Sequence, residues 1–181
     1  MKRLKIILLI SFVSFLSQAQ QNKKIDSLLN VLKSPKLDTL TVYAYNELAT
    51  EFIGLDNEQA VFYARKGLKV SNTIKDKKMQ AWSNHLQGLS FDYLGTADSA
   101  FYYYSKAVEI KRTLKDLNGE ANTLLNIGVM FFYQNEYDKA EFYYKKALDL
   151  FIKINNEVRI AAAYNNLGLI YRNQKKYKEA I

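Results

Sequence analysis

The sequence predicts an all-α fold, a solenoid of antiparallel helix hairpins stacked side by side. The first observation is the stretch 119–154, where small and apolar residues recur at helical spacing in two runs around a polar turn at 134–138. The second observation is that this stretch repeats, because a shift of 40 residues in either direction superposes like residues. A hairpin of two amphipathic helices cannot bury its apolar stripe alone, so the repetition favours stacking.

The period is clearest at small residues, which two helices need where their axes approach to about 8 to 10 Å. Gly88, Gly128 and Gly168 coincide in the first helix of successive copies, and a weaker first copy has Ala49 there. The predicted crossing residues of the four copies are Ala49, Ala60, Gly88, Ala100, Gly128, Ala140, Gly168 and Ala180. In this interpretation Gly128 faces Ala140.

These copies resemble the tetratricopeptide repeat (TPR), whose pattern runs W-x2-L-G-x2-Y, then A-x3-F, then P. The third copy matches this pattern at Leu124, Ile127, Gly128, Phe131, Ala140 and Tyr144. The resemblance covers residues 38–181, as about three full repeats plus an incomplete fourth. It implies a right-handed superhelix of helix hairpins.

The links between repeats depart from the family pattern, because its proline is absent. Polar residues occupy 75–77, 115–119 and 155–157 instead. The 40-residue period exceeds the family length of about 34 residues, and the extra residues are expected to lengthen the helices. Asp38, Asp56, Asp76 and Asn156 are suited to cap the helices that follow them, whereas Asn118 and Gly119 predict a tight turn.

The first 19 residues have the pattern of a secretory signal peptide. Three basic residues precede an apolar run at 6–16, and a small-x-small cleavage site follows at 17–19. The run is shorter than the ~20 residues of a membrane span, although an uncleaved anchor stays an alternative. The chain is therefore predicted to be exported to the periplasm or another extracytoplasmic space, with any further membrane tether beyond Ile181. Residues 20–37 are predicted to form a capping helix and linker before the first repeat.

Composition narrows the classes of function. The chain has no cysteine, which excludes disulfides and a lipoprotein anchor. Its net charge is +8, and removal of the signal's three basic residues leaves +5. The remaining lysines are dispersed, which is typical of a solvated surface and provides no basic run for nucleic acid.

Candidate catalytic residues are few, and no catalytic residue, cofactor or metal site is predicted. His85 and Asp92 lie seven apart on one helix face, which could pair a base with an orienting carboxylate, but no nucleophile accompanies them. The acidic residues at 136–141 are explained by the dipole of a helix start. The aromatic runs 101–104 and 142–144 are interpreted as packing against neighbouring hairpins rather than as stacking platforms for bases.

The resemblance implies that the first helices of the repeats line a concave groove, which binds an extended peptide or a protein segment. Asparagine can pair with a peptide backbone, and Trp, Tyr and Arg are typical hot-spot residues. The candidate groove residues are Tyr43, Asn46, Trp82, His85, Tyr93, Asn122, Phe132, Tyr133, Asn165 and Arg172. The lysines of the chaperone-binding TPR clamp are missing, so no clamp for a terminal carboxylate is expected. The alternative is that the groove aromatics pack on a downstream segment of the same protein.

The combination of signal peptide, cap and long repeats is similar to the N-terminal extracytoplasmic region of bacterial TPR-containing sensor histidine kinases or helix-turn-helix regulators. The predicted function is therefore protein or peptide binding in signal transduction, not catalysis by this stretch. Because the fourth repeat stops inside its second helix, the natural protein is expected to continue beyond Ile181 with an output domain. The competing hypothesis is a stand-alone periplasmic scaffold without an output domain.

Overall fold

The computed structural model describes residues 20–175, and it contains eight α-helices and no β-strand in that range. Helix α1 covers residues 20–31. The others are α2 (Thr39–Phe52), α3 (Asn57–Thr73), α4 (Lys77–Tyr93), α5 (Ala97–Thr113), α6 (Leu117–Tyr133), α7 (Tyr137–Lys153) and α8 (Glu157–Asn173). The predicted all-α solenoid is confirmed. The predicted signal peptide and the crossing residue Ala180 lie outside the described residues.

The helices form two layers. From α2 to α8, each helix packs against the next one. The even-numbered helices also approach one another in order, whereas the backbones of α3, α5 and α7 stay further apart within the described part of the chain. Side chains still connect the odd-numbered helices, as Phe101 of α5 and Tyr143 of α7 do with ring centroids 6.2 Å apart. We call the surface of α2, α4, α6 and α8 the inner layer and that of α3, α5 and α7 the outer layer. None of the helices within residues 20–175 is long and apolar enough to cross a bilayer.

Helix α1 packs on the first hairpin. Its Leu28 joins Ala44 and Leu48 of α2 in a small buried cluster. On the same helix, the Lys24 ammonium lies 2.6 Å from the carboxylates of both Glu47 and Glu51. Apolar contact and ion pairing together fix the helix over the start of the array.

The extra residues of each repeat lengthen the helices, as predicted. Helices α3 to α8 have 17 residues each. From α3 onward, three residues separate one helix from the next. Two helices and two links thus account for the 40-residue period.

The three-residue links share one conformation. Their middle residue has a positive φ, which is 59° at Lys75, 56° at Lys115 and 61° at Asn135. The next backbone N–H reaches back across the helix end, as Asp76 does when it donates to the Ser71 carbonyl at 3.0 Å. This is the Schellman pattern, and it satisfies carbonyls that the helix end leaves open.

The residue that completes each link often caps the following helix as well. The predicted N-caps are confirmed, because side-chain oxygens of Asp38, Asp56, Asp76 and Asn156 accept backbone N–H bonds of the next turn. The predicted tight turn at Asn118 and Gly119 is wrong. Both residues lie in the first turn of α6, where Asp116 is the cap and accepts from the Gly119 N–H at 2.9 Å.

Lys115→Gly should raise the free energy of unfolding by about 0.5 to 1 kcal/mol. A left-handed backbone costs a non-glycine residue about 1 to 2 kcal/mol, and the greater freedom of unfolded glycine offsets part of the gain. Urea denaturation measures the change. The control is Lys106→Gly, at an exposed position inside α5, where glycine should cost about 1 kcal/mol instead. Equal losses at both positions would contradict the assigned link geometry.

Small residues do occupy the helix crossings, but the partner of Gly128 differs from the prediction. Ala49, Ala60, Ala100 and Ala140 have no exposed surface. The atoms nearest to a Cβ built on Gly128 belong to the ring of Tyr144, not to Ala140. Gly88 has the same relation to Tyr104, whose Cδ1 would lie 2.5 Å from the added carbon. At these two crossings the glycine makes room for a buried tyrosine of the following helix.

The aromatic runs divide between core and surface. Tyr104 and Tyr144 are buried, and Tyr103 and Tyr143 are half-buried. Tyr102 and Phe142 are 56% and 51% exposed, so the prediction that they pack in the core is wrong. They point away because each lies two residues from the buried positions on either side, about 200° around the helix from them.

Candidate functional site

The inner layer carries a cavity of about 410 Å³ between α4 and α6. We call it the Asp92 pocket. Its lining residues are Leu89, Asp92, Tyr93, Asn126, Val129 and Tyr133. Tyr93 and Tyr133 are the last residues of their helices, and they are 59% and 79% exposed. The pocket therefore combines a carboxylate and an amide with two accessible aromatic rings.

Asp92 is partly buried and has no counter-ion among residues 20–175. None of the ion pairs within residues 20–175 includes it. Burial raises the pKa of its carboxyl to about 6. The nearby Tyr104 hydroxyl opposes that rise only in part, since it is not aligned for a full hydrogen bond to any described residue. At neutral pH the site presents a charged but poorly solvated carboxylate.

A second cavity, of about 370 Å³, opens beside the start of α4. Trp82 lines it with Tyr43, and the centroids of their rings lie 5.7 Å apart. Lys78, Lys111 and Asp116 add charge to its wall. An aromatic pair beside charged groups is again suited to contact with a polypeptide.

His85 is half-buried and belongs to a polar cluster whose other side chains, Thr123 and Lys111, are buried. Its Nδ1 lies 3.0 Å from the hydroxyl oxygen of Thr123, which also accepts from the Lys111 ammonium at 2.8 Å. The Thr123 hydroxyl donates its only proton to the Gly119 carbonyl, at 2.9 Å. With the Thr123 proton on that carbonyl, Nδ1 of His85 is the donor in its contact with the hydroxyl oxygen.

The same cluster sets the charge state of His85. Burial first, and then the charge of Lys111, lower the pKa of His85 to about 3. Burial also lowers the pKa of Lys111 to about 8, although Asp116 opposes this shift. His85 is bonded to Thr123 and not to Asp92, so these two residues do not form the base and orienting carboxylate that their spacing suggested. No group of three metal-ligating side chains occurs in the described part of the chain.

Comparison of the sequence with models of known protein families shows which family the chain belongs to. Two models of the tetratricopeptide repeat match residues 78–153 and 160–181, together more than half of the sequence. The chain belongs to the tetratricopeptide repeat family. The first of these matches begins in α4, which fits the weaker copy before it, where Ala49 replaces glycine. No curated protein sequence matches the chain.

Solved structures show the same TPR architecture. A Signal Transduction ATPase with Numerous Domains (STAND) protein with a tetratricopeptide repeat sensor, from Pyrococcus horikoshii, aligns with a TM-score of 0.80 and 21% identity, over 93% of this chain and 26% of that one. A Rap protein complexed with Competence and Sporulation Factor gives 0.76 and 17%, over 93% and 48%. BtubC from P. vanneervenii gives 0.71 and 23%, over 90% and 67%. At these identities the likeness is one of fold, and the chain spans about a quarter of the STAND protein and about half of the Rap protein.

The predicted groove residues differ in their access to the surface of the TPR array. The exposed ones are Tyr43, Tyr93, Tyr133, Asn165 and Arg172, and the half-buried ones are Trp82, His85, Asn122 and Phe132. Asn46 has no exposed surface and accepts a hydrogen bond from Ser83 at 2.8 Å, so it lies beneath the inner layer and cannot touch a ligand there. Asn122 donates to the Asn118 carbonyl at 2.8 Å.

Two features of the TPR surface were missed by sequence reasoning. Asn126 lines the Asp92 pocket, but its position depends on the stagger of α6 against α4, which residue spacing does not give. The second feature is a row of half-exposed aromatics on the outer layer, at Phe62, Tyr102 and Phe142. Their separation by 40 residues was a signal available in the sequence.

Proposed function

We propose that the chain binds a protein or peptide partner on its inner layer, as the extracytoplasmic sensory or scaffolding part of a larger bacterial signalling protein. TPR arrays generally bind proteins or peptides. The observation that supports this role is the pair of inner-layer cavities, at Trp82 and at Asp92, each with accessible aromatic rings beside charged groups. Trp and Tyr are enriched among the few residues that carry most of the binding free energy of a protein interface.

The signalling part of the proposal draws on two similar structures. One is described as a signal transduction protein with a TPR sensor, and the other as a Rap protein in complex with a competence and sporulation factor. In the proposed arrangement, the signal peptide exports the repeats, and an output domain, either a histidine kinase or a helix-turn-helix regulator, follows Ile181. A stand-alone periplasmic scaffold would share the binding layer without the output domain. The reading frame after Ile181 distinguishes the two, since an apolar run of ~20 residues fits only the first.

Export can be tested separately from binding. When the full chain is expressed in a bacterium, we expect the mature protein in the periplasmic fraction to begin at Gln20. Mass spectrometry of the intact protein gives the first residue. Uncleaved protein confined to the cytoplasm would contradict the proposed location without affecting the proposed binding.

The double variant Trp82→Ala/Tyr133→Ala should weaken partner binding by about 100-fold or more, because each change removes a candidate hot-spot ring. The probe is a peptide selected from a random library on the immobilised parent protein, with its affinity measured by fluorescence anisotropy. Circular dichroism should show unchanged helix content.

The matched control is Tyr102→Ala/Phe142→Ala, which removes two exposed rings from the outer layer. We expect this control to change the affinity less than about threefold, since the rings lie outside the inner layer. Binding that survives the inner-layer variant, or that is lost equally in the control, would place the binding surface elsewhere.

A further inference from the structure

The Asp92 carboxylate has no positive charge beside it, among the described residues, to balance its own charge. It is partly buried, and no cation pairs with it among the described residues. None of the other lining residues of the pocket is a lysine, an arginine or a histidine. A desolvated charge without a partner is unfavourable, and a ligand that brings a positive charge would remove that penalty.

The repeat itself does not require an acid at this position. The equivalent residues one and two periods later are Phe132 and Arg172. The fold therefore accepts an aromatic or a basic side chain there. The Tyr104 hydroxyl offsets part of the cost of burying Asp92, but it is uncharged and supplies no counter-ion. A carboxylate kept at such a cost is typical of a binding group.

The remaining walls of the pocket suit a long cationic side chain. Tyr93 and Tyr133 present accessible rings, whose faces attract cations. Leu89 and Val129 offer apolar contact for the methylene stem of such a side chain. The Asn126 amide oxygen can accept a further N–H bond.

We infer that the Asp92 pocket receives the side chain of a lysine or arginine from a peptide bound along the inner layer. This inference rests on the proposed function and names the residue type that the binding layer selects. Charge complementarity decides the occupant, because a neutral side chain leaves the carboxylate unpaired and an acidic one is repelled by it.

The test compares libraries of short peptides on the full chain. One position is fixed as lysine, arginine, norleucine or glutamate, while the other positions vary among neutral residues. We expect the lysine and arginine libraries to bind at least about 10-fold more tightly than the norleucine library, as a desolvated ion pair requires. Asp92→Asn should abolish this preference, and Tyr133→Leu should reduce it. The control Asp149→Asn removes an exposed acid of the outer layer and should leave the preference intact.

The possible outcomes separate the two levels of the proposal. Libraries that bind without preference for a basic residue would overturn the inference and leave the proposed function standing. A preference that persists in Asp92→Asn but is lost in Tyr133→Leu would also overturn the role of the carboxylate. Failure of every library to bind would overturn the proposed function together with the inference. Butylamine is tested alone, and binding as tight as that of the peptides would mean that the pocket serves free amines instead.

Discussion

We expect Gly128→Ala to lower the free energy of unfolding by about 2 to 3 kcal/mol, and Gly128→Leu to lower it further. The added carbon would meet the ring of Tyr144, which belongs to the buried core cluster formed by α5 to α8. Close-packed interiors yield little to such an insertion. At an unhindered position inside a helix, glycine to alanine would instead stabilise by about 1 kcal/mol. Whether Gly128→Ala lowers or raises the free energy of unfolding therefore tests the contact with Tyr144.

Removal of the ring provides the control for this prediction. In a Tyr144→Leu background, Gly128→Ala should cost little or become stabilising, because the obstructing atoms are gone. Urea denaturation of the four proteins in this double-mutant cycle gives the coupling energy, which we expect to be about 2 kcal/mol or more. Equal losses in both backgrounds would mean that Gly128 is required for another reason.

The 40-residue period predicted the fold because equivalent positions in successive repeats carry the same residue types and so pack in the same way. Small residues lie at the crossings, and side-chain oxygens at positions such as Asp76 mark the helix starts. The turn preferences of individual residues predicted the positions of the links less well. Asn118 and Gly119 have strong turn preferences, yet the chain turns at Lys115, because the link that joins α5 and α6 has only three residues and centres there. Tertiary spacing overrides local preference at such a link.

The sequence predicted which side of the helices the inner-layer residues occupy, but not the contacts that surround each side chain. Spacing placed Tyr93 and Tyr133 on the accessible side of their helices, since that depends only on the helical period. It could not show that Asn46 is buried. An atom of the Asn46 amide occupies the space above Gly67, and Ser83 bonds to that amide from α4. Such contacts depend on how three helices meet, which a single helix pattern does not contain.

Protonation of His85 should make the chain sensitive to acid. The pKa of its ring falls from 6.5 to about 3 on folding, so the unfolded chain binds the proton first as the pH decreases. The stability due to neutral His85 is thus complete above about pH 6.5 and is lost as the pH falls toward about 3. Asp92 acts in the opposite direction, because folding raises its pKa from 3.8 to about 6. Its protonation on acidification restores part of the stability, by about 1 to 2 kcal/mol for a partly buried group.

The variant His85→Gln isolates the contribution of histidine, since its amide can still donate to Thr123 but does not titrate. Between about pH 7 and about pH 4, we expect the parent to lose about 3 kcal/mol more stability than this variant. Urea denaturation at both pH values, repeated in an Asp92→Asn background, separates the effects of the two residues. Because Lys111 already donates to Thr123, a protonated imidazole there would add a second positive charge to the cluster. Equal losses in parent and variant would show that folded His85 accepts a proton readily, which is incompatible with its burial beside Lys111.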